Sequence, residues 1–81
     1  MTDFPDSRLS DLHNGEQAFI TSLGQGMGIN RRLTSLGFTP GVPVMVLQNY
    51  GHGPLVVSVR GTRIALGRVE ASAIAVQKVV K

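Results

Sequence analysis

Residues 29–41 carry the sequence INRRLTSLGFTPG, which predicts a short helix that ends at a glycine and is followed by a turn. Gly37 is expected to take the left-handed conformation that ends a helix, and Phe38 to pack back on Leu33. One apolar stripe runs along this helix at positions i, i+4 and i+7, formed by Ile29, Leu33 and Leu36. A helix this short is not stable alone in water, so the stripe must be docked on a sheet.

The chain after this helix predicts a turn and then a strand. Pro40 and Gly41 suit the two central positions of a type II turn, in which proline fixes φ and glycine takes the positive-φ place. A strand is expected at 42–47, where Pro43 restricts it to a sheet edge or to the first ladder positions. Further strands are expected at 18–23, 55–60, 63–67 and 74–79.

A β-hairpin is expected around Gly61-Thr62, because this glycine-first pair suits a type II′ turn. The resulting register places Arg60 directly opposite Arg63 on the outer face. Like charges in that position destabilise a hairpin unless an anion binds between them. The alternative is that the two long arginine side chains point apart into water. On the core side the register pairs Val59 with Ile64 and Val57 with Leu66.

About five short strands, one short α-helix and tight turns predict a mainly β fold, a small SH3-like, partly open barrel. Single helical turns are expected at 9–12 and 69–73. A chain of 81 residues makes one domain, which we place at 9–81. Residues 1–8 are polar and contain a proline, and they are expected to form a flexible tail.

The composition limits the classes of protein to consider. The chain has no cysteine, which excludes a disulfide framework and a thiolate zinc site. The formal net charge of +3 favours an anionic partner, but it also simply keeps a small domain soluble. The N-terminus lacks the basic start and apolar run of an export signal, and no apolar run approaches the roughly 20 residues that span a bilayer. We therefore expect a cytoplasmic protein without membrane insertion.

Residue types that serve catalysis or metal binding are present but scattered. His13 and His52 fall in separate loops, and the five acids form no spaced pair or HExxH motif. The glycine-rich segment at 24–28 lacks the Gly-Lys-Ser/Thr ending of a phosphate-binding loop. We therefore expect no catalytic residue, no metal site, no cofactor and no enzymatic function.

The adjacent arginines of the helix differ in direction. At about 100° per residue, Arg31 projects away from the apolar stripe, whereas Arg32 flanks it and lays its methylene groups over the barrel. Glu70 is the obvious internal counter-charge for one arginine. The residues expected to contact a partner are Arg31, Leu36, Gly37, Phe38, Arg60 and Arg63. Those expected to set turns or caps are Gly37, Pro40, Gly41 and Gly61.

Several segments, in order, resemble the FeoA family. They are LSDL at 9–12, Gly15-Glu16, RRLTSLGFTPGV at 31–42, GPLVV at 53–57, RGTRIAL at 60–66 and Glu70-Ala71. The resemblance spans residues 9 to about 77, and the Leu-Gly-x-x-Pro-Gly block followed by Arg-Gly-x-x-Ile-Ala-Leu is rather specific. The loop before Pro54 reads NYGHG, which departs from the polar or acidic glycine turn usual in the family.

This resemblance implies a small cytosolic SH3-like barrel that accompanies FeoB, the membrane transporter for ferrous iron, which carries a cytosolic G-protein domain. Such a protein acts by contact with FeoB and lies at the inner membrane only through that partner. The residues do not decide between activation of GTP hydrolysis and plain assembly of the transporter, and self-association stays open.

Three other functions stay under consideration. A small basic barrel binds nucleic acid when aromatic and basic residues interleave, a pattern that this chain lacks, so no nucleic acid is expected. The same module forms the C-terminal end of diphtheria-toxin-repressor-type regulators, which makes a metal-responsive regulatory role the second alternative. Direct carriage of ferrous ion is the third, and the chain shows no ligand cluster for it.

Overall fold

The computed structural model of this protein describes residues 7–23 and 27–79, without the side chains of Met27 and Ile29. The predictions for the tail at 1–6, for the glycine-rich residues 24–26 and for the packing of Ile29 therefore lie outside the described residues. The other predicted elements can be compared with the structure directly.

The described strands form one open antiparallel sheet. In chain order the elements are β1 (Ser7–Arg8), a 3-10 helix (Leu9–Asp11), β2 (Gln17–Ser22), α1 (Met27–Ser35), β3 (Pro43–Gln48), β4 (Leu55–Val59), β5 (Thr62–Leu66), α2 (Arg68–Ala73) and β6 (Ala75–Lys78). The strand order is β1-β6-β2-β3-β4-β5, so β1 and β5 are the two edges. Bulges interrupt the register of β2 and β3, and such bulges bend a sheet towards a barrel. The predicted mainly β, partly open architecture is confirmed.

The described chain has one strand and one helix more than predicted. Ser7 and Arg8, expected in the tail, belong to the sheet, where they pair with Val76 and Ala75. A two-residue strand leaves no periodicity in the sequence, and its partner lies at the far end of the described chain. The single turn expected at 69–73 is a six-residue helix, α2.

The core is built from side chains that alternate along the strands. β4 buries every second residue, and the residues between them are half-buried. Ile74 and Val76 are fully buried, as predicted, and α1 contributes Leu33. The other core residues are Leu9, Leu12, Ala18, Ile20, Leu23, Phe38, Val44, Val46, Leu55, Val57, Val59, Leu66 and Ala71. No polar side chain of the described residues is buried, so apolar packing holds these elements together.

Helix α1 ends in a Schellman motif, as predicted. Phe38 N–H donates to Leu33 O at 2.9 Å, and Gly37 N–H donates to Thr34 O at 3.0 Å, with φ of 101° at Gly37. Leu33 and Phe38 are both fully buried, which supplies the apolar contact that accompanies this motif. The helix therefore stops on a backbone geometry that glycine adopts without strain.

The turn after α1 and the start of β3 also follow the prediction. Val42 N–H donates to Thr39 O at 3.1 Å, and φ at Gly41 is 90°, as a type II turn over Pro40 and Gly41 requires. Pro43 is the first residue of β3, the position in which a strand tolerates proline.

The hairpin between β4 and β5 differs from the prediction. Strand pairing continues up to the residues on either side of Arg60 and Gly61, so these two form the turn. Their φ angles are 52° and 81°, which matches a type I′ turn and not a type II′ turn. The predicted pairing of Arg60 with Arg63 is wrong, because Arg63 lies opposite Ser58. The register error is two residues, and a shift of two leaves every side chain on its face.

Candidate docking surface

Two of the predicted contact residues meet at the end of α1. A Cβ atom added to Gly37 would lie 3.1 Å from Arg60 Cδ, so the arginine side chain passes directly over the glycine. Leu36 precedes the glycine and leaves 37% of its surface exposed. The end of α1 thus presents an exposed apolar side chain, a backbone segment without a side chain and a cation. We call this the helix-end surface, and it consists of Leu36, Gly37 and Arg60.

Phe38 is a correction to the predicted contact set. Its side chain is fully buried, so it cannot touch a partner. The hydrogen bonds that end α1 also turn Phe38 into the core, where it supports the helix-end surface from beneath. The turn positions assigned to Pro40, Gly41 and Gly61 keep their role, with Gly61 as the second residue of the hairpin turn.

Arg32 has a structural partner. Its Nε atom lies 3.2 Å from Glu70 Oε2, and Glu70 Oε1 accepts a hydrogen bond from Gly67 N–H at 3.1 Å. Glu70 therefore links α1 to the first turn of α2, which confirms it as the internal counter-charge. The Arg32 side chain is 65% exposed, so its pairing with the carboxylate lies at the surface, and the cover of the barrel by its methylene groups stays a prediction.

The other predicted arginines are exposed, and neither salt bridge of the described residues involves them. Arg60 belongs to the helix-end surface, Arg31 lies on α1 and Arg63 lies on the edge strand β5. Arg31 and Arg63 are not part of the helix-end surface as defined above. Because no described acid pairs with these three cations, an external anion has no internal competitor for them.

Arg68 was not identified by the sequence analysis, and it holds three parts of the chain together. Its guanidinium donates to Gly53 O at 3.1 Å, to Asn49 Oδ1 at 2.7 Å and to Ser10 O at 3.4 Å. These contacts join α2, the loop at 49–54 and the 3-10 helix. No local pattern marks such a residue, because its partners are distant in the sequence.

Asn49 is the second residue that the sequence analysis missed. Its Nδ2 donates to Leu12 O at 2.7 Å and to Ser10 O at 3.1 Å, and its Oδ1 accepts from Gly51 N–H at 2.9 Å. The last contact is an Asx turn, which the Asn-x-Gly spacing signals in the sequence. Arg68 and Asn49 together fix the loop that departs from the family pattern.

The pKa of the Glu16 carboxyl group is lower than its ordinary value. Its Oε1 accepts a hydrogen bond from His13 N–H at 2.6 Å, and its Oε2 lies 3.7 Å from Lys78 Nζ. The hydrogen bond from His13 is the main reason that the pKa of Glu16 is lowered; partial burial opposes it, and the Lys78 charge adds to it.

The described residues contain neither a cluster of metal ligands nor a helix that could span a membrane. Within residues 7–23 and 27–79, no three His, Cys, Asp or Glu side chains come together as metal ligands. His13 and His52 are both exposed. None of the helices in that part of the chain is long and apolar enough to cross a membrane.

An open, bent sheet of short antiparallel strands with few helices defines an SH3-like class of small β domain. The FeoA domain model matches residues 7–78, and the chain belongs to the FeoA family. The family predicted from residues 9 to 77 is thereby confirmed.

Individual relatives agree with this family. A Methanocaldococcus jannaschii protein with the provisional name Fe(2+) transport protein A is 35% identical over 60 residues, which cover 74% of this chain and 72% of that protein. A crystal structure of an iron uptake regulatory protein (FeoA) is similar with a TM-score of 0.87 and 31% identity, over 93% of this chain and 100% of the other. Stenotrophomonas maltophilia FeoA in complex with zinc, described as a prokaryotic SH3 domain protein, has a TM-score of 0.79 and 34% identity, over 88% and 89% of the two chains.

A transcriptional repressor shares the fold. A manganese-dependent repressor is similar with a TM-score of 0.86 and 20% identity, over 98% of this chain and 45% of the repressor. At that identity the likeness shows the fold alone, so the repressor-related alternative is supported at the level of architecture and no further.

Proposed function

We propose that this chain is a non-enzymatic accessory protein of ferrous iron uptake that acts in the cytoplasm by contact with FeoB, through the cytosolic G-protein domain of that transporter. Membership of the FeoA family supports a role in iron transport. The name of the Methanocaldococcus relative supports it, as does the description of the Stenotrophomonas protein as a candidate activating factor of ferrous iron transport. Contact with FeoB would hold the chain at the inner membrane.

The observation that carries the docking proposal is the approach of Arg60 to Gly37. It brings two separate segments of the chain onto one exposed surface, beside the half-exposed side chain of Leu36. Arginine is enriched among the few residues that dominate binding energy at protein interfaces. In this proposal Leu36 enters an apolar pocket of the partner, and Arg60 donates to a carboxylate at its edge.

Arg31 and Arg63 take a different part in the same proposal. They are exposed and lie outside the helix-end surface, so they act as rim charges that speed association and contribute little to affinity. An arginine supplied to a GTPase in trans can also accelerate hydrolysis strongly. Turnover of GTP by the isolated G domain, with wild type and Arg31→Ala, measures that contribution.

Co-purification with FeoB tests the proposal, with two exposed leucines as a matched pair. Leu36 and Leu47 are each 37% exposed, but only Leu36 belongs to the helix-end surface. We expect Leu36→Asp to weaken the complex about tenfold or more, as loss of an interface anchor does, and Leu47→Asp to leave it unchanged. Equal losses in both variants would refute the docking surface, and failure of the wild type to co-purify would refute the function.

A further inference from the structure

The outer face of the sheet carries a groove that shares Arg60 with the helix-end surface. Ala18 and Val44 are buried, so Phe19, Pro43 and Met45 point to the opposite face of the sheet. Phe19 and Pro43 are cross-strand partners, which places their side chains next to each other. With Val79 they line a depression of about 410 Å³, and we call it the outer-face groove.

The groove is elongated and its floor is apolar. Phe19 is 45% exposed and Val79 is 37% exposed, which is unusual for large apolar side chains that lie together. A second depression of about 390 Å³ shares Gln17, Met45 and Val79 with the first and extends it to Gly15. The second depression is mainly polar, so the two together suit an extended peptide that carries both apolar and polar side chains.

Among the described residues, no acid forms an ion pair with the cations at one side of the groove. Arg60 and Gly61 line the rim of the groove, and Arg63 lies opposite Ser58, which in turn lies opposite Met45. Neither salt bridge of the described residues involves Arg60 or Arg63. The rim is therefore complementary to carboxylates, and the floor is complementary to an apolar side chain.

The backbone at Arg60 gives an independent reason to look for a function of its side chain. Its φ of 52° lies in the left-handed region, where the first residue of a type I′ turn is normally asparagine, aspartate or glycine. Arg60 occupies this position despite the strain, and its side chain lies between Gly37 and the groove. Observed strain of this kind is concentrated at binding and catalytic sites.

We propose that the outer-face groove binds an extended acidic segment of the transporter, which lays a large apolar side chain on Phe19 and Pro43 and brings a carboxylate to Arg60. This inference rests on the proposed function, because it names the chemistry of the FeoB segment that docks. A nucleic acid fits the groove less well, since Phe19 is the one aromatic side chain among the described residues that line it, and a strand of phosphates needs a longer run of cations.

Peptide titration of the full chain, followed by NMR, tests the groove directly. The probe is acetyl-GEEFLEEG-amide, and its matched controls are acetyl-GKKFLKKG-amide and acetyl-GEEAAEEG-amide. We expect the amides of Phe19, Met45 and Gly61 to shift with the probe, with a Kd of about 1 mM or lower, and to respond weakly to either control. No localised shift, or equal binding of the basic control or of an oligothymidylate, would overturn the inference.

Variants assign the binding to particular side chains. Arg60→Asn suits the turn and removes the cation, so it is expected to weaken probe binding about tenfold while the fold is kept. Arg60→Lys keeps the charge and is expected to retain most of the binding. Phe19→Ala is expected to weaken the probe, whereas Tyr50→Ala, at an exposed aromatic outside the groove, is not. Unchanged affinity in both Arg60→Asn and Phe19→Ala contradicts the inference.

Other occupants and the failure of the proposed function give distinct results. Tighter probe binding after deletion of residues 1–6 would identify this chain's own N-terminal segment as the occupant, and concentration-dependent shifts without the probe would identify a second copy. Either result overturns the inference. If Phe19→Ala loses the probe but still co-purifies with FeoB, the groove is not the transporter site and the proposed function stands. If the wild type binds the probe but not FeoB, the proposed function fails, and the preference of the groove for an acidic peptide stands.

Discussion

Arg60 occupies a backbone position that favours other residue types. Left-handed φ costs a non-glycine residue about 1 kcal/mol, and asparagine tolerates it best. We therefore expect Arg60→Asn to raise the free energy of unfolding by up to about 1 kcal/mol, as measured by chemical denaturation. A decrease would mean that packing of the arginine methylene groups on Gly37 outweighs the strain.

Alanine substitutions at Gly37 and Gly41 distinguish the effect of backbone strain on stability from that of a steric conflict. Both have positive φ, at 101° and 90°, but an added Cβ meets Arg60 only at Gly37 and meets nothing within 4 Å at Gly41. We expect Gly41→Ala to lower the free energy of unfolding by about 1 kcal/mol and Gly37→Ala to lower it by about 2 kcal/mol. In an Arg60→Ala background the difference between the two substitutions should shrink. Equal losses in the wild-type background would argue against the close approach.

Glu16 makes stability depend on acid pH. Its pKa is lower in the folded chain than in the unfolded one, so its carboxylate stabilises the fold above the unfolded pKa of about 4.3. This contribution is lost as the pH falls through the folded pKa. Thermal unfolding of Glu16→Gln between pH 7 and pH 3 should therefore show a lower midpoint at neutral pH and a shallower decline in acid. Parallel curves for the variant and the wild type would contradict this role.

The contacts of Arg68 determine how α2, the 3-10 helix and the loop at 49–54 fit together. Lysine keeps the charge but not the planar fork that serves three acceptors. Arg68→Lys should therefore lower the free energy of unfolding by about 1–3 kcal/mol and speed hydrogen exchange at Gly51. Arg31→Lys, at an exposed position without an ion pair to any described residue, is the control and should be neutral. A neutral Arg68→Lys would show that water replaces these contacts.

Elements with local geometry were predictable from the sequence, and elements defined by pairing were not. The end of α1 and the type II turn depend on neighbouring residues such as Gly37 and Gly41, and both predictions are confirmed. The hairpin register depends on whether Gly61 is the first or the second turn residue, and alternation alone fits both choices because they differ by two residues. β1 exists only through its pairing with β6, which no local pattern contains.

The candidate surfaces were also only partly predictable from the sequence, because they depend on which elements pack together. Leu36, Gly37 and Arg60 were each predicted as contact residues, but their meeting depends on how α1 lies on the hairpin. Phe38 was misassigned because an aromatic residue beside a glycine stop suits both a contact and a core role, and only packing decides between them. Phe19 was overlooked because its importance depends on lying opposite Pro43.

The charge of the whole molecule leads to a prediction about kinetics. A formal net charge of +3, with several arginines outside any internal ion pair of the described residues, should steer the chain towards an acidic partner. We expect the association rate with the G domain to fall about tenfold or more between low and high salt, with a smaller change in the dissociation rate. Stopped-flow mixing measures both rates. An association rate that does not change with salt would contradict electrostatic steering and would indicate that apolar contacts drive the association.

The pairing of β1 with β6 places the first and the last strand of the described chain next to each other. Ser7 lies opposite Val76, two residues before the end of β6. A short glycine-serine bridge between the two ends should therefore permit a circular permutant with new termini at Gly51, in the exposed loop. Because the two ends are close together, the domain could also be inserted into a loop of a longer polypeptide without moving the two sides of that loop apart.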